Sequence, residues 1–203
     1  MAINQRQATI LDYELVKETI LNMPDKTDQF MLAVSYANGT RVSEVIPITT
    51  SDIDFTDKFV YVYTKVLKKR KQKNVLRGPP ISRTKEKWLA DIILSYLAPK
   101  KAEWEQARNK ALSTNSPVPP PLKLIDYGVR TAQRRFDKYF RCTAHSIRHT
   151  RATHCLNIFG MSMRMVLEFF KISPRGSGEW IMRYGHLDTK EIEKHWEQSE
   201  VNV

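Results

Sequence analysis

Three separated segments carry side chains whose types and spacing suit the handling of a small anion. The densest is His145-Ser146-Ile147-Arg148-His149-Thr150. On a helix the i, i+3 spacing of His145 and Arg148 puts an imidazole and a guanidinium on one face, with His149 one turn from His145. Two such donors can grip one anion together, and the planar guanidinium fork matches the oxygens of a phosphate. Gly39-Thr40-Arg41-Val42-Ser43-Glu44 offers a second fork. Asn38-Gly39 is a helix-ending pair, so Arg41 stands at the first turn of whatever follows, where backbone N–H groups are exposed. The third segment is Tyr184-Gly185-His186. The rival chemistry for histidines at i, i+4 is zinc binding. The Glu of an H-E-x-x-H pattern is missing, and Arg148 between the two imidazoles would repel a cation. No metal and no other cofactor is expected, and His149 reads as a supporting residue. His154, facing away from His145, reads as a surface or core histidine. The run Lys68-Lys69-Arg70-Lys71 has two readings, a solvated hairpin tip or contact with a phosphate backbone.

Elements must bring these segments together. Val16, Ile20 and Met23, then Phe30, Ala33, Val34 and Ala37, recur at helical spacing and predict two amphipathic helices, the second ended by Asn38-Gly39. A helical turn over Arg41 to Ile46 should stop at Pro47. The β-branched and aromatic stretch Phe59 to Thr64 predicts a strand, paired as a hairpin with the stretch around Val75-Leu76. Ser82 is the expected N-cap of a helix that carries Leu89, Ile92, Ile93 and Tyr96 and ends before Pro99. Trp88, Leu89, Ile92 and Tyr96 are expected in the core. Ser113 to Pro121, with four prolines, predicts a surface loop. Further helices are expected over Gly128–Tyr139, over Ala144–Phe159 with Gly160 as the stop, and over Ser162–Phe170. Pro174 to Gly178 breaks the pattern, and a last helix should run from about Thr189 to the end. The expected fold is mainly α with a small antiparallel β-sheet, in one domain over residues 1–203.

The composition narrows the partners. In 203 residues, 33 Lys and Arg stand against 22 Asp and Glu, a net charge of +11 that an anionic partner would screen. Nucleic acid is the first partner to consider, although charge alone does not separate DNA, RNA and an acidic membrane face. No apolar run is long enough to cross a bilayer. Cys142 and Cys155 form neither a CxxC pair nor a disulfide framework, and no signal peptide is recognised, which together suit a reducing cytoplasm.

Taken in order, the segments resemble the catalytic domain of the tyrosine recombinases, also called the phage integrase family. That family has an Arg in a G-x-R-x-S-E context, here Arg41 to Glu44, then an acidic D-I-D, here Asp52-Ile53-Asp54. A hairpin Lys follows, then H-x-L-R-H-T, here His145 to Thr150, and G-H, here Gly185-His186. The resemblance implies duplex DNA as the partner, with a homo-oligomer assembled on it, and strand breakage and rejoining without a metal. A tyrosine attacks a phosphodiester to give a 3′-phosphotyrosyl link, which a 5′-hydroxyl later reverses. It further implies that Arg41 and Arg148 clamp the phosphate, and that His145 and His186 donate to its oxygens or move protons. The hairpin Lys would protonate the departing 5′ oxygen. Lys65 is placed in that role, with Lys68 and Lys69 as alternatives. The family's separate N-terminal DNA-binding domain is not expected within these residues.

The nucleophile departs from the pattern. The family's tyrosine falls nine positions after the G-H histidine, and that position holds His195, followed by Trp196. Tyr184 precedes Gly185 and would lie on the wrong side of the final turn. The standard nucleophile has been lost, or a substituted residue stands there, or His195 itself attacks phosphate. The interval from Gly160 to Gly185 is also longer than usual, with Pro174 to Gly178 as the insertion. Two function classes follow: a strand-cutting recombinase, and a DNA-binding regulator or accessory that kept the fold without the reaction. A helical RNA-binding protein is a third, and would expose the rings of Tyr61 and Tyr63.

Overall fold

A computed structural model of the chain describes residues 10–65, 74–76 and 80–170, all within the compact unit Met1–Lys171. The expected break at Pro174–Gly178 and the expected last helix lie outside the described residues.

Helix α1 (Tyr13–Leu21) starts where the Asp12 carboxylate accepts the N–H groups of Glu14 and Leu15 at 2.9 and 3.1 Å, and it buries Val16 and Ile20. Helix α2 (Lys26–Asn38), capped by Asp25, is buried from Asp28 to Asn38, the mark of a central helix enclosed on all sides. It ends at Gly39, whose φ of 55° is left-handed, so the Asn-Gly stop is borne out. The short helix α3 (Val42–Val45) follows, then a 3-10 turn over Thr50–Asp52. Four antiparallel strands come next: β1 (Ile53–Phe55), β2 (Phe59–Lys65), β3 (Asn74–Leu76) and β4 (Ile81–Ser82). β2 pairs with all the others, and Val60 faces both Phe55 of β1 and Ile81 of β4. Helices α4 (Lys87–Ser113), α5 (Val129–Phe140), α6 (Ala144–Asn157) and α7 (Met163–Phe169) complete the described chain. The residues that follow α4, up to Gly128, hold no helix, in line with the expected proline-rich loop. The fold is mainly α with a small antiparallel sheet, as the sequence predicts.

Two boundaries differ from expectation. Ser82 ends β4 instead of capping α4; its hydroxyl accepts from Lys85 N–H at 3.1 Å, and Glu86 becomes the cap residue. The Glu86 side chain reaches inward to a buried arginine, and the helix proper starts at Lys87. α4 also runs straight past Pro99. Pro99 removes one backbone donor at a cost of about 3 kcal/mol, and the strong helix formers from Lys100 onward carry the helix through. Strands β1 and β4 are three and two residues long, too short to show an alternation. Of the residues expected in the core, Leu89 is fully buried, whereas Trp88, Ile92 and Tyr96 pack half-buried at its edge.

Polar side chains tie the helices together. Asp28, fully buried on α2, accepts from the hydroxyls of Tyr127 and Tyr139 at 2.9 and 3.1 Å and pairs with Arg135 of α5 at 3.2 Å. On α6 the ring of His154 joins Tyr36 Oη to Nδ1 at 2.7 Å and the Leu11 carbonyl to Nε2 at 2.9 Å. A carbonyl can only accept, so Nε2 carries the proton and Nδ1 accepts from the Tyr36 hydroxyl. Burial, with the nearby Arg151 charge acting in the same direction, pushes the His154 pKa down from 6.5 to about 4. The folded state therefore resists a proton that the unfolded chain takes up readily. Stability is fully present above pH 6.5 and is lost as pH falls toward 4, by about 3 kcal/mol from this residue. Urea unfolding at several pH values should show this slope, and His154→Gln should flatten it. An unchanged slope in the variant would exclude His154 as the source.

Candidate active site

Arg41 is the cap residue of α3, with extended backbone (φ −76°, ψ 151°). Glu44, buried beneath it, accepts the Arg41 N–H at 3.1 Å and the guanidinium Nη1 at 3.2 Å. The acid at the end of G-T-R-V-S-E thus aims the arginine, while the Arg41 side chain stays 42% exposed. Among the N–H groups of that first turn, Arg41's own is taken by Glu44 and does not face solvent.

Helix α6 begins where Thr143 Oγ1 accepts the Ser146 N–H at 3.3 Å, placing His145 in the first turn and Arg148 one turn on. His145 is exposed, and the buried His149 sets its ring edge-on against it at 4.2 Å between centroids. Arg148 is buried, its Nη1 donating to the Gly39 carbonyl and its Nη2 to the Phe170 carbonyl at 2.8 Å. Arg41, His145 and Arg148, far apart in sequence, line one open cleft of about 270 Å³. Thr40, Ser43 and Gln133 also line it. A guanidinium half in water, a second one below it and an imidazole at the rim make a site for an anion carried on a larger molecule. A wider groove of about 870 Å³ between α2 and α4 is lined by Trp88, Ile92 and Tyr96, and none of these three cleft residues reaches it.

The other sequence candidates are not brought to this cleft by the described residues. Lys65 closes β2 opposite Asn74, and its side chain lies outside what is described. Lys68, Lys69, Arg70 and Lys71, in the connection from β2 to β3, lie outside the described residues, as do His186 and His195. One basic surface escaped the sequence reading. Helix α5 buries Ala132, Phe136 and Phe140 and exposes Arg130, Arg134 and Lys138 at i, i+4 and i+8, with Arg141 at its C-cap. The same helix contributes Val129 and Gln133 to the cleft. The spacing of those cations was the available signal.

Residues 13–190 match the phage integrase family. The chain belongs to that family. The matched span of this integrase-family chain takes in His186 and stops short of His195. Over 173 residues it is 28% identical to the tyrosine recombinase XerC of Chlamydia caviae, an alignment covering 77% of this chain and 48% of that protein. The tyrosine recombinase XerC of Chlamydia trachomatis serovar L2 is 27% identical over 150 residues, covering 68% and 41%. The chain thus spans about half the length of the curated relatives it matches. Among solved structures, the XerH site-specific recombinase bound to difH substrate, a pre-cleavage complex, superposes with a TM-score of 0.56 at 16% identity. That likeness covers 93% of this chain and 53% of that one. The Tn1549 transposon integrase in complex with circular intermediate DNA gives 0.52 at 15%, covering 97% and 67%. The fold of this phage integrase family member is that of a tyrosine recombinase catalytic domain.

Proposed function

We propose that the chain binds duplex DNA and holds one phosphodiester in the cleft of Arg41, His145 and Arg148, as the catalytic domain of a site-specific tyrosine recombinase. The convergence of those three residues in a member of the phage integrase family carries the reading. In an in-line displacement at phosphorus, negative charge builds on the non-bridging oxygens. Two guanidinium groups and an imidazole already in place stabilise that charge without reorganisation. No step in this scheme calls for a metal. In the same reading Lys65 protonates the departing 5′ oxygen, with Lys68 or Lys69 as alternatives, and His186 completes the donors around the phosphate. The run Lys68 to Lys71 and the α5 cations Arg130, Arg134, Lys138 and Arg141 neutralise flanking phosphates. Rejoining to a partner strand calls for a second copy of the chain on the DNA. His195, standing where the family has its tyrosine, favours a second reading: a DNA-binding regulator or accessory with this fold and without the reaction.

Binding should weaken steeply with salt, because each phosphate neutralised adds about 0.9 to the slope of log affinity against log salt. Arg41→Ala and Arg134→Ala should each lower that slope by roughly one. Fluorescence anisotropy with a labelled duplex measures this directly. A flat salt response, or a strong preference for single-stranded RNA, would exclude the duplex-backbone reading.

A further inference from the structure

Arg148 is held from behind. Its two bonded Nη groups point to the carbonyls of Gly39, at the end of α2, and Phe170, just past α7. The ring of Phe170 lies over the guanidinium, 5.0 Å from its centroid, within reach of a cation–π contact. The two carbonyls and the aromatic face orient the guanidinium and themselves bring no countercharge to it. The arrangement depends on Gly39 as well. A Cβ there would fall 2.0 Å from Phe170 Cε1, so the ring fits only against a bare backbone, and the left-handed φ of 55° independently disfavours a side chain. Local sequence puts Phe170 in place: it lies four residues after Val166, both are buried, and the Phe170 N–H donates to the Val166 carbonyl at 3.0 Å. One apolar face of α7 therefore docks next to Gly39 and delivers the ring to Arg148.

We propose that Phe170 is a positioning residue for Arg148: its ring and carbonyl, seated on the bare face of Gly39, hold the guanidinium in the orientation that lines the cleft. The functional consequence rests on the reading of the cleft as a phosphate site. Phe170 touches no substrate in this scheme and acts through Arg148.

A double-mutant cycle on duplex affinity, measured by anisotropy with the full chain, tests it. Phe170→Leu should weaken binding roughly tenfold, the scale of a desolvated cation–π contact. Phe170→Tyr, which keeps the ring, should stay within about twofold of the unsubstituted chain. In an Arg148→Ala background Phe170→Leu should add nothing. If the two losses multiply instead, Phe170 acts on the fold at large and the proposal is overturned. If Arg148→Ala binds like the unsubstituted chain, the phosphate-site reading fails, and the positioning role is then decided by NMR. Rotation of the Arg148 guanidinium about Nε–Cζ should be slow in the unsubstituted chain and fast in Phe170→Leu. Fast rotation in the unsubstituted chain overturns the proposal, a result that needs no variant to fold.

Discussion

Glu86→Ala is expected to cost about 3–5 kcal/mol and to leave the protein largely unfolded in mild urea, because it strands a buried cation. Arg151 is 0% exposed. Its Nη1 and Nη2 meet the two carboxylate oxygens of Glu86 at 2.6 and 2.9 Å, its Nε donates to the Ala37 carbonyl at 3.1 Å, and the rings of Tyr36 and Phe159 each lie 5.0 Å away. Burial works against the charge, but the Glu86 carboxylate more than offsets it, so the Arg151 pKa is raised and the group stays cationic. Removing the acid takes away that compensation, and a loss of this size is a large part of the roughly 5–15 kcal/mol that holds a domain folded. The pair itself need not be stabilising. Glu86→Leu combined with Arg151→Met should recover most of the loss by replacing two charges with apolar volume. Equilibrium denaturation of both variants decides the matter: a loss under about 1 kcal/mol in Glu86→Ala would mean the pair is far better solvated than its burial indicates.

The second large effect concerns His195. On a nicked suicide duplex the chain as it stands is expected to form no covalent adduct, and His195→Tyr is expected to form one. The expectation rests on side-chain length: an imidazole is shorter than a phenol, and attack on phosphorus requires an in-line distance of about 3–3.5 Å. In the His195→Tyr background, Arg41→Ala or Arg148→Ala should then slow adduct formation by about 10²–10³, the usual loss when one preorganised donor is removed. Denaturing gels read the adduct directly. Adduct formation by the unsubstituted chain, lost in His195→Ala and with an acid-labile link, would make His195 the nucleophile. No adduct from either form, with the variant folded and bound to DNA, would establish the accessory reading.

Helices α1 and α2 were legible because their apolar residues recur at helical spacing, and Asn38-Gly39 marks the end of the second. The pairing of His145 with Arg148 was legible for the same reason, since i, i+3 on a helix is local geometry. Part of what escaped depended on contacts distant in sequence. Ser82 is a good N-cap in isolation, but it pairs with Phe59 in the sheet and α4 starts only at Lys87. Pro99 is a helix stop in isolation, but the residues after it outweigh one missing donor. The docking of Phe170 on Gly39 joins residues far apart in the chain, and no spacing rule reaches that far. The basic face of α5 was readable in principle, since Arg130, Arg134 and Lys138 recur at i, i+4 and i+8.

Helix α4, at 27 residues, is about 40 Å long and is two different objects joined at Pro99. Before the proline it buries Leu89, Ala90, Ile93 and Leu97; after it, only Ala111 is buried. Trp104 Nε1 ties that second half to the Pro119 carbonyl at 3.1 Å, and Lys101 reaches over the Phe55 ring of β1. With one ladder bond already missing at the junction and so little apolar surface to give up, the outer half can fray and re-form as a separate cooperative unit of low local stability. The inner half, locked into the core, can open only when the whole domain does.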